Sequence, residues 1–165
     1  MSRPRKTAQL QIRVSQDEKA AIQRAARQAG MDMSTYVLSQ VLPAPAAQFR
    51  RCLEACAGAA SPSFPLAELN ALLSSLSAAD LLKAVAAPPP AGLSPFLANY
   101  IAAMVEYACA LRAVPVPAWA WTIRPLAEPV FGTALQSLRL HLLTHSPPPF
   151  RRRNIFIDST LGQRV

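Results

Sequence analysis

The chain has 165 residues, 52% of them hydrophobic, and it carries a net charge of +8 with an isoelectric point near 10.3. The apolar content excludes a wholly disordered chain, and the basic charge favours a polyanionic partner. Residues 1–42 hold seven Lys/Arg against three Asp/Glu, a net charge of +4, whereas residues 43–165 spread the other +4 over a much longer stretch. The basic excess is therefore densest near the N-terminal end.

The N-terminal end is predicted to form a basic arm over residues 1–6, followed by a strand over residues 7–14. Apolar and polar side chains alternate strictly in this strand: the apolar ones are Ala8, Leu10, Ile12 and Val14, and the polar ones are Thr7, Gln9, Gln11 and Arg13. A period of two predicts one buried and one solvent-facing side. Because a lone strand leaves its backbone groups unpaired, we expect it to pair with the same strand of a second chain.

Two helices are predicted directly after the strand. Ser15 and Glu18 form a capping-box pattern that starts a helix over residues 16–29, and Gly30 stands in the position that ends it. Ser34 is the predicted N-cap of a second helix over residues 35–42, which Pro43 ends.

This strand–helix–helix block, with its Arg-Val-Ser step into the first helix and its Ala-Gly turn, resembles the ribbon-helix-helix family, the Arc/MetJ/CopG type of DNA-binding domain. It looks most like the antitoxin branch of that family, and the resemblance covers residues 7–42. It implies a homodimer, or a higher assembly, whose ribbon enters the major groove of double-stranded DNA. By resemblance the base-reading residues are Gln9, Gln11 and Arg13, side chains that can bond adenine and guanine edges.

The same resemblance places further residues in the interface and in the dimer. Phosphate contacts are expected from the arm and from the start of the second helix: Arg3, Arg5, Lys6, Thr7, Ser34 and Thr35. The dimer core is expected to consist of Leu10, Ile12, Val14, Ile22, Val37 and Val41. Residues 7–43 are thus interpreted as a DNA-binding and dimerisation module.

Residues 46–165 are predicted to form a helical C-terminal domain with proline-rich loops. The expected helices cover residues 46–58, 65–76, 78–87, 95–113 and 132–145, with an extended wrap over residues 114–131. Residues 96–111 form the most hydrophobic window, which is too short to span a bilayer and is interpreted as a core helix. We therefore expect a mainly α protein without membrane contact.

The end of the chain combines basic and apolar residues that are candidates for binding a partner: Phe150, Arg151, Arg152, Arg153, Ile155 and Phe156. The arginine run is either a contact for DNA or an acidic partner, or a solvated surface. The apolar residues after it, a predicted short strand over residues 154–157, either dock on a partner by β-augmentation or fold back on the chain's own core.

Two pairs of potential metal ligands stand four residues apart on predicted helices. Cys52 and Cys56 form one pair, and His141 and His145 the other. Neither pair has further ligands at a suitable spacing, so we interpret them as buried thiols and a polar helix edge rather than as half of a metal site. The odd cysteine count, completed by Cys109, is typical of a reducing cytosol. The basic N-terminus leads into no apolar segment, which predicts no signal peptide.

These patterns together predict a DNA-binding repressor in the bacterial cytoplasm, associated with the nucleoid. No nucleophile–base arrangement, carboxylate pair or glycine-rich phosphate loop occurs in the sequence, so we expect no enzyme, no cofactor and no metal. By resemblance, the protein would be the antitoxin of a type II toxin–antitoxin pair, with a toxin bound by its C-terminal domain. Two alternatives stay open: a plasmid or chromosomal regulator without a toxin, whose C-terminal domain oligomerises or binds a ligand, and a pure interaction module.

Overall fold

The computed structural model describes residues 11–41 and 44–158. The chain forms two compact units, Met1–Pro43 and Ala44–Val165, which are called unit 1 and unit 2 below. Several predicted interface residues lie outside the described residues: Arg3, Arg5, Lys6, Thr7, Gln9 and Leu10.

Helix α1 (Gln16–Gln28) begins with the predicted capping box. The Ser15 N–H donates to Glu18 Oε2 at 2.7 Å, and the Glu18 N–H donates to Ser15 Oγ at 3.3 Å. These two bonds satisfy backbone donors that the first turn of a helix leaves unpaired. The start of α1 is therefore encoded locally, in four consecutive residues.

A glycine turn joins α1 to helix α2 (Met33–Val41). Gly30 has φ +66°, and the Met31 N–H donates back to the Ala26 carbonyl at 2.9 Å. The left-handed conformation favours glycine because a Cβ would crowd the backbone there. The chain reverses after α1 through this short connection.

The start of α2 differs from the prediction. The helix is capped by Asp32 rather than by Ser34: the Thr35 N–H donates to Asp32 Oδ1 at 3.0 Å, and the Thr35 hydroxyl donates to Asp32 Oδ2. Aspartate ranks with serine as an N-cap, and its two oxygens can accept both donors of Thr35. Ser34 consequently lies inside the first turn.

The predicted N-terminal strand is not observed in its described part, residues 11–14. Residues 11–15 are exposed and carry no strand, and residues 16–41 form only α1, α2 and their turn. A strand is held by hydrogen bonds to a neighbouring strand, and residues 11–41 contain no such neighbour. The predicted ribbon-helix-helix arrangement is therefore corrected to a pair of helices in the described part of unit 1.

Unit 2 is mainly helical. Its helices are α3 (Pro45–Gly58), α4 (Ser63–Ser75), α5 (Ala78–Ala84), α6 (Pro95–Leu111), α7 (Ala118–Thr122), α8 (Gln136–His145) and α9 (Pro148–Arg151). Two short strands, β1 (Val130–Phe131) and β2 (Ile155–Phe156), pair in parallel. The predicted extended wrap over residues 114–131 contains α7 and β1, and the end of the chain contains α9 and β2, so the domain is not purely helical.

Helix α6 is the centre of unit 2. Ser94 caps it, Pro95 opens it, and most of its side chains are buried against α4, α7 and α9. Its small residues, such as Ala102 and Ala103, let neighbouring backbones approach closely. Burying this surface stabilises the fold by about 25 cal/mol per Å² of apolar area. Within residues 11–41 and 44–158 no helix, α6 included, is long and apolar enough to cross a membrane.

Candidate nucleic-acid interface

The segment before α1 carries the described part of the predicted base-reading set. Gln11 and Arg13 are both exposed and lie directly ahead of the capping box, whereas Gln9 lies outside the described residues. Ile12 is 58% exposed and Val14 is 42% exposed, so the apolar side chains of this segment also reach solvent. Polar and apolar side chains of residues 11–14 are therefore exposed alike. The predicted division into one buried and one solvent-facing side is not seen in these residues.

The basic excess of unit 1 is confined to this N-terminal segment. Residues 1–13 contain four cationic residues, Arg3, Arg5, Lys6 and Arg13, and no acidic one. In residues 14–42 three cations balance three acids: Lys19, Arg24 and Arg27 against Asp17, Glu18 and Asp32. Because phosphate binding depends on concentrated positive charge, the residues before α1 are the part of unit 1 best suited to contact a nucleic acid.

The start of α2 has fewer hydrogen-bond donors available to a phosphate than the sequence predicted. Asp32 accepts both the amide and the hydroxyl of Thr35, which were expected to bind a phosphate. A carboxylate at this position also repels an anion that approaches the helix N-terminus. Ser34 stays exposed in the same turn.

The predicted dimer-core residues are only partly covered within one chain. Val41 is 70% exposed, and Ile12 and Val14 are exposed as described above. Ile22 on α1 and Val37 on α2 are half-buried. Leu10 lies outside the described residues. Ile12, Val14 and Val41 are therefore accessible to a second chain.

The predicted partner-binding residues near the end of the chain divide into two groups. Arg151 and Arg152 are exposed, whereas Phe150, Ile155 and Phe156 are buried in unit 2. Phe150 contacts the ring of Tyr100 edge-on, with 5.3 Å between ring centres. Of the two alternatives for this segment, the structure shows the one in which it folds back on its own core.

Arg153 is the residue that departs most from the expected solvated run, since it is only 4% exposed. Its Nε donates to Glu106 Oε1 at 2.9 Å, and its Nη2 donates to the same oxygen. Further bonds run to Asn99 Oδ1 at 3.1 Å and to the Ala120 carbonyl at 2.6 Å. A buried charge is tolerated only when it is paired and hydrogen-bonded in this way. Arg153 therefore joins α6 to α7 from inside the core.

The partners of Arg153 were not recognised from the sequence. Asn99 and Glu106 are 1% and 2% exposed, although they look like polar interruptions of an apolar helix. They stand seven residues apart, which puts them on one face of α6 two turns apart. Two polar residues at that spacing inside an apolar helix were the available signal for a buried polar network.

Within the described residues, neither candidate metal pair is completed by a further ligand. Burial raises the pKa of both the Cys52 and the Cys56 thiol. The rings of His141 and His145 stack with 3.9 Å between their centres on the exposed side of α8. Across the described ranges, no three or more His, Cys, Asp or Glu residues are grouped as a metal site would require.

A comparison with protein families matches residues 4–49 to a model described as NikA-like, mobilization protein NikA. The match covers unit 1 and the first residues of α3, less than a third of the chain. No curated protein and no solved structure matches. The antitoxin-like ribbon-helix-helix assignment made from the sequence is corrected: the match is to a mobilization-protein family, and no strand precedes α1 in residues 11–15. What the match does support is a protein related to DNA and to plasmids.

Proposed function

We propose that the protein binds double-stranded DNA through the N-terminal segment of unit 1 and serves the mobilization of a DNA element. The proposal is supported by the overlap between the family match and the basic residues of unit 1. The match to a mobilization-protein family begins at residue 4, and the uncompensated positive charge of unit 1 lies in residues 1–13. The family match therefore includes three of the four cations of residues 1–13, Arg5, Lys6 and Arg13, which have the electrostatics of a DNA contact.

The contacts fall into two proposed classes. Arg3, Arg5, Lys6 and Thr7 contact phosphates, which would strengthen binding to any DNA sequence. Gln11 and Arg13, with Gln9, contact base edges, because an amide suits adenine and a guanidinium suits guanine. Arg13 supports this role by its position, since it is exposed and stands two residues before the capped start of α1.

Self-association of unit 1 belongs to the same proposal. A second copy that covers Ile12, Val14 and Val41 would remove exposed apolar surface from water and double the number of DNA contacts. The dimer would then read a site with two related halves. We propose action by binding rather than by catalysis, in the bacterial cytoplasm with the DNA. No toxin partner is proposed, because the family match gives no support for one.

The experiment is a selection of duplexes from a random library by the full-length protein, followed by binding titrations of the selected duplex. The wild type is compared with Arg13→Ala and with Lys19→Ala, a matched removal of one positive charge inside the neutral part of unit 1. We expect Arg13→Ala to reduce the preference for the selected duplex and Lys19→Ala to keep it. A library without any enriched sequence would contradict base reading. A selected sequence found at promoters, and absent from the mobilization region of the host element, would favour a transcription regulator instead.

A further inference from the structure

Two tryptophans on α7 have opposite environments. Trp119 is 9% exposed, and its indole N–H donates to the Val85 carbonyl at 2.8 Å. Trp121, two residues later, is 58% exposed. Tryptophan is enriched at binding surfaces, because its ring has a large apolar area that a ligand can cover. Helix α7 is thus anchored by one indole and presents the other.

A guanidinium stands beside the exposed indole. The Cζ atom of Arg152 lies 5.5 Å from the centre of the Trp121 ring, and the Arg152 side chain is 57% exposed. Arg152 Nη2 also donates to Glu106 Oε2 at 2.8 Å. A guanidinium has five N–H donors, so this bond leaves donors that can bind an anion while the group stays in place.

The buried network holds the two side chains in position. Arg153 bonds to the Ala120 carbonyl immediately before Trp121, and Glu106 binds both Arg152 and Arg153. Asn99 Nδ2 donates to the carbonyl of Arg124 at 3.0 Å, which fixes the chain just after α7. A surface that is organised before binding loses less conformational entropy when a ligand arrives.

The surrounding charge is positive. Residues 118–158 contain five arginines and two acids, Glu128 and Asp158. Arg153 faces the buried Glu106, whereas Arg124 and Arg151 are exposed on the two segments that the network joins. The exposed Trp121 indole beside the Arg152 guanidinium combines a stacking surface with a phosphate-binding group.

We propose that the surface formed by Trp121 and Arg152 binds single-stranded nucleic acid, with the exposed Arg124 and Arg151 as additional cations close to them in the chain. A base stacks on the Trp121 ring, and neighbouring phosphates pair with the guanidiniums. Duplex DNA fits less well because its bases already stack on one another and present no free face. An acidic peptide could use the arginines but has no aromatic face to place on the indole. The surface lies in unit 2 and is independent of the duplex-binding segment proposed in unit 1.

The first test measures binding of a fluorescein-labelled oligothymidylate of about 15 nucleotides to the full-length protein by fluorescence anisotropy. Trp121→Ala should weaken binding roughly tenfold, the usual effect of losing one stacked base. Phe64→Ala removes a side chain that is 73% exposed on α4 and is the matched control, with unchanged affinity expected. Equal affinity of the two variants would overturn the proposal.

A second test does not depend on the stability of the alanine variant. Stacking should quench the tryptophan emission of the wild type, and Trp121→Phe should abolish the quench while binding persists, because Trp119 is buried and cannot stack. A quench that survives in Trp121→Phe would place the strand elsewhere. Parallel titrations with oligothymidylate and oligouridylate separate DNA from RNA as the source of the strand.

Two further measurements test whether the surface prefers nucleic acid to an acidic protein and whether it acts independently of unit 1. Polyglutamate should displace the oligonucleotide only weakly and without dependence on Trp121; displacement that Trp121→Ala weakens would favour an acidic protein partner and reject the proposal. Trp121→Ala should leave duplex binding intact, and Arg13→Ala should leave oligothymidylate binding intact. If both nucleic acids are lost in both variants, one shared surface replaces the two that are proposed.

Discussion

Unit 1 and unit 2 differ in how their structures are held together. Among residues 11–41, Ala26 is the single fully buried side chain, and every charged group is in water. Unit 2 encloses a continuous apolar cluster drawn from most of its helices, with a charged network inside it. A small unit that buries little apolar surface gains little from the hydrophobic effect. The stability of unit 1 therefore depends mainly on its helix caps, and burial of its exposed apolar side chains by a partner would add to that stability.

The difference predicts that substitutions act on different properties in the two units. In unit 2 a change at a buried residue should alter the free energy of unfolding, because apolar contacts and paired charges are lost. In unit 1 a change at an exposed residue should alter binding, because few internal contacts depend on it.

Glu106→Ala should have the largest effect, a loss of about 3–5 kcal/mol in the free energy of unfolding of unit 2. The substitution leaves the buried guanidinium of Arg153 without its counter-charge. Denaturant unfolding monitored by tryptophan emission measures the loss, since both tryptophans lie in unit 2. Glu54→Ala, at an exposed position of α3, is the control and should stay within about 0.5 kcal/mol of wild type. Similar losses in both variants would refute a structural role of the network.

Leu81→Ala should cost about 2–5 kcal/mol, because this side chain is 0% exposed and its removal leaves a cavity. Val41→Ala in unit 1 should change stability by less than about 0.5 kcal/mol at low protein concentration. Thermal unfolding of both variants over a range of concentrations makes the comparison. If the cost of Val41→Ala rises with protein concentration, Val41 is buried by a second copy; a constant, large cost would remove the contrast between the units.

Arg13→Ala should reduce the preference for the selected duplex by about 1–3 kcal/mol, the usual value of one bidentate base contact. The unfolding transitions of both units should stay where they are, since Arg13 is exposed. Equilibrium titrations with the selected and a scrambled duplex measure the preference. An equal weakening for both duplexes would assign Arg13 to the phosphates.

Ser15→Ala should destabilise α1 by about 1 kcal/mol, because it removes the N-cap. The bonds from the Ser15 amide and hydroxyl lower the pKa of Glu18. A carboxyl whose pKa is lowered by folding stabilises the fold above its unfolded pKa, and this contribution disappears as the pH falls through the folded pKa. The capping box should thus be complete at neutral pH and lost in acid. Far-ultraviolet circular dichroism of wild type and Glu18→Gln between neutral and acidic pH checks this, with a flatter response expected from Glu18→Gln.

Lys6→Ala should have the smallest effect. It should weaken binding to all duplexes about equally and reduce the slope of log K against log salt by about 0.9, the value for one released counterion. Titrations at several salt concentrations measure the slope, with Lys19→Ala as the control of equal charge. A duplex-dependent loss would instead make Lys6 a base-reading residue.

Local signals in the sequence predicted much of the helical structure. Ser15 precedes a helix that begins where its capping box predicts it, because a side chain that accepts a backbone N–H fixes a helix start within four residues. The helices predicted over residues 78–87 and 95–113 also begin at the predicted residues. The hydrophobic window over residues 96–111 also predicted α6 as a core helix. These features depend on neighbours in the chain, and a sequence displays its neighbours directly.

Non-local contacts were the ones that the sequence did not reveal. The alternation over residues 7–14 predicted a strand, but alternation says nothing of a partner strand to bond with. The run of three arginines looked uniform, although Arg153 is buried and Arg151 is exposed. What separates them is a carboxylate placed 47 residues earlier in the chain, on another helix.

The distance along the chain between Glu106 and Arg153 also has a consequence for synthesis. Glu106 leaves the ribosome before its counter-charge, Arg153, which is synthesised 47 residues later. An unpaired carboxylate strongly resists transfer into an apolar interior, so α6 cannot settle into its final environment during that interval. Unit 2 is therefore expected to complete its folding late, after most of the chain has emerged. The final packing of α6 should require the synthesis of Arg153.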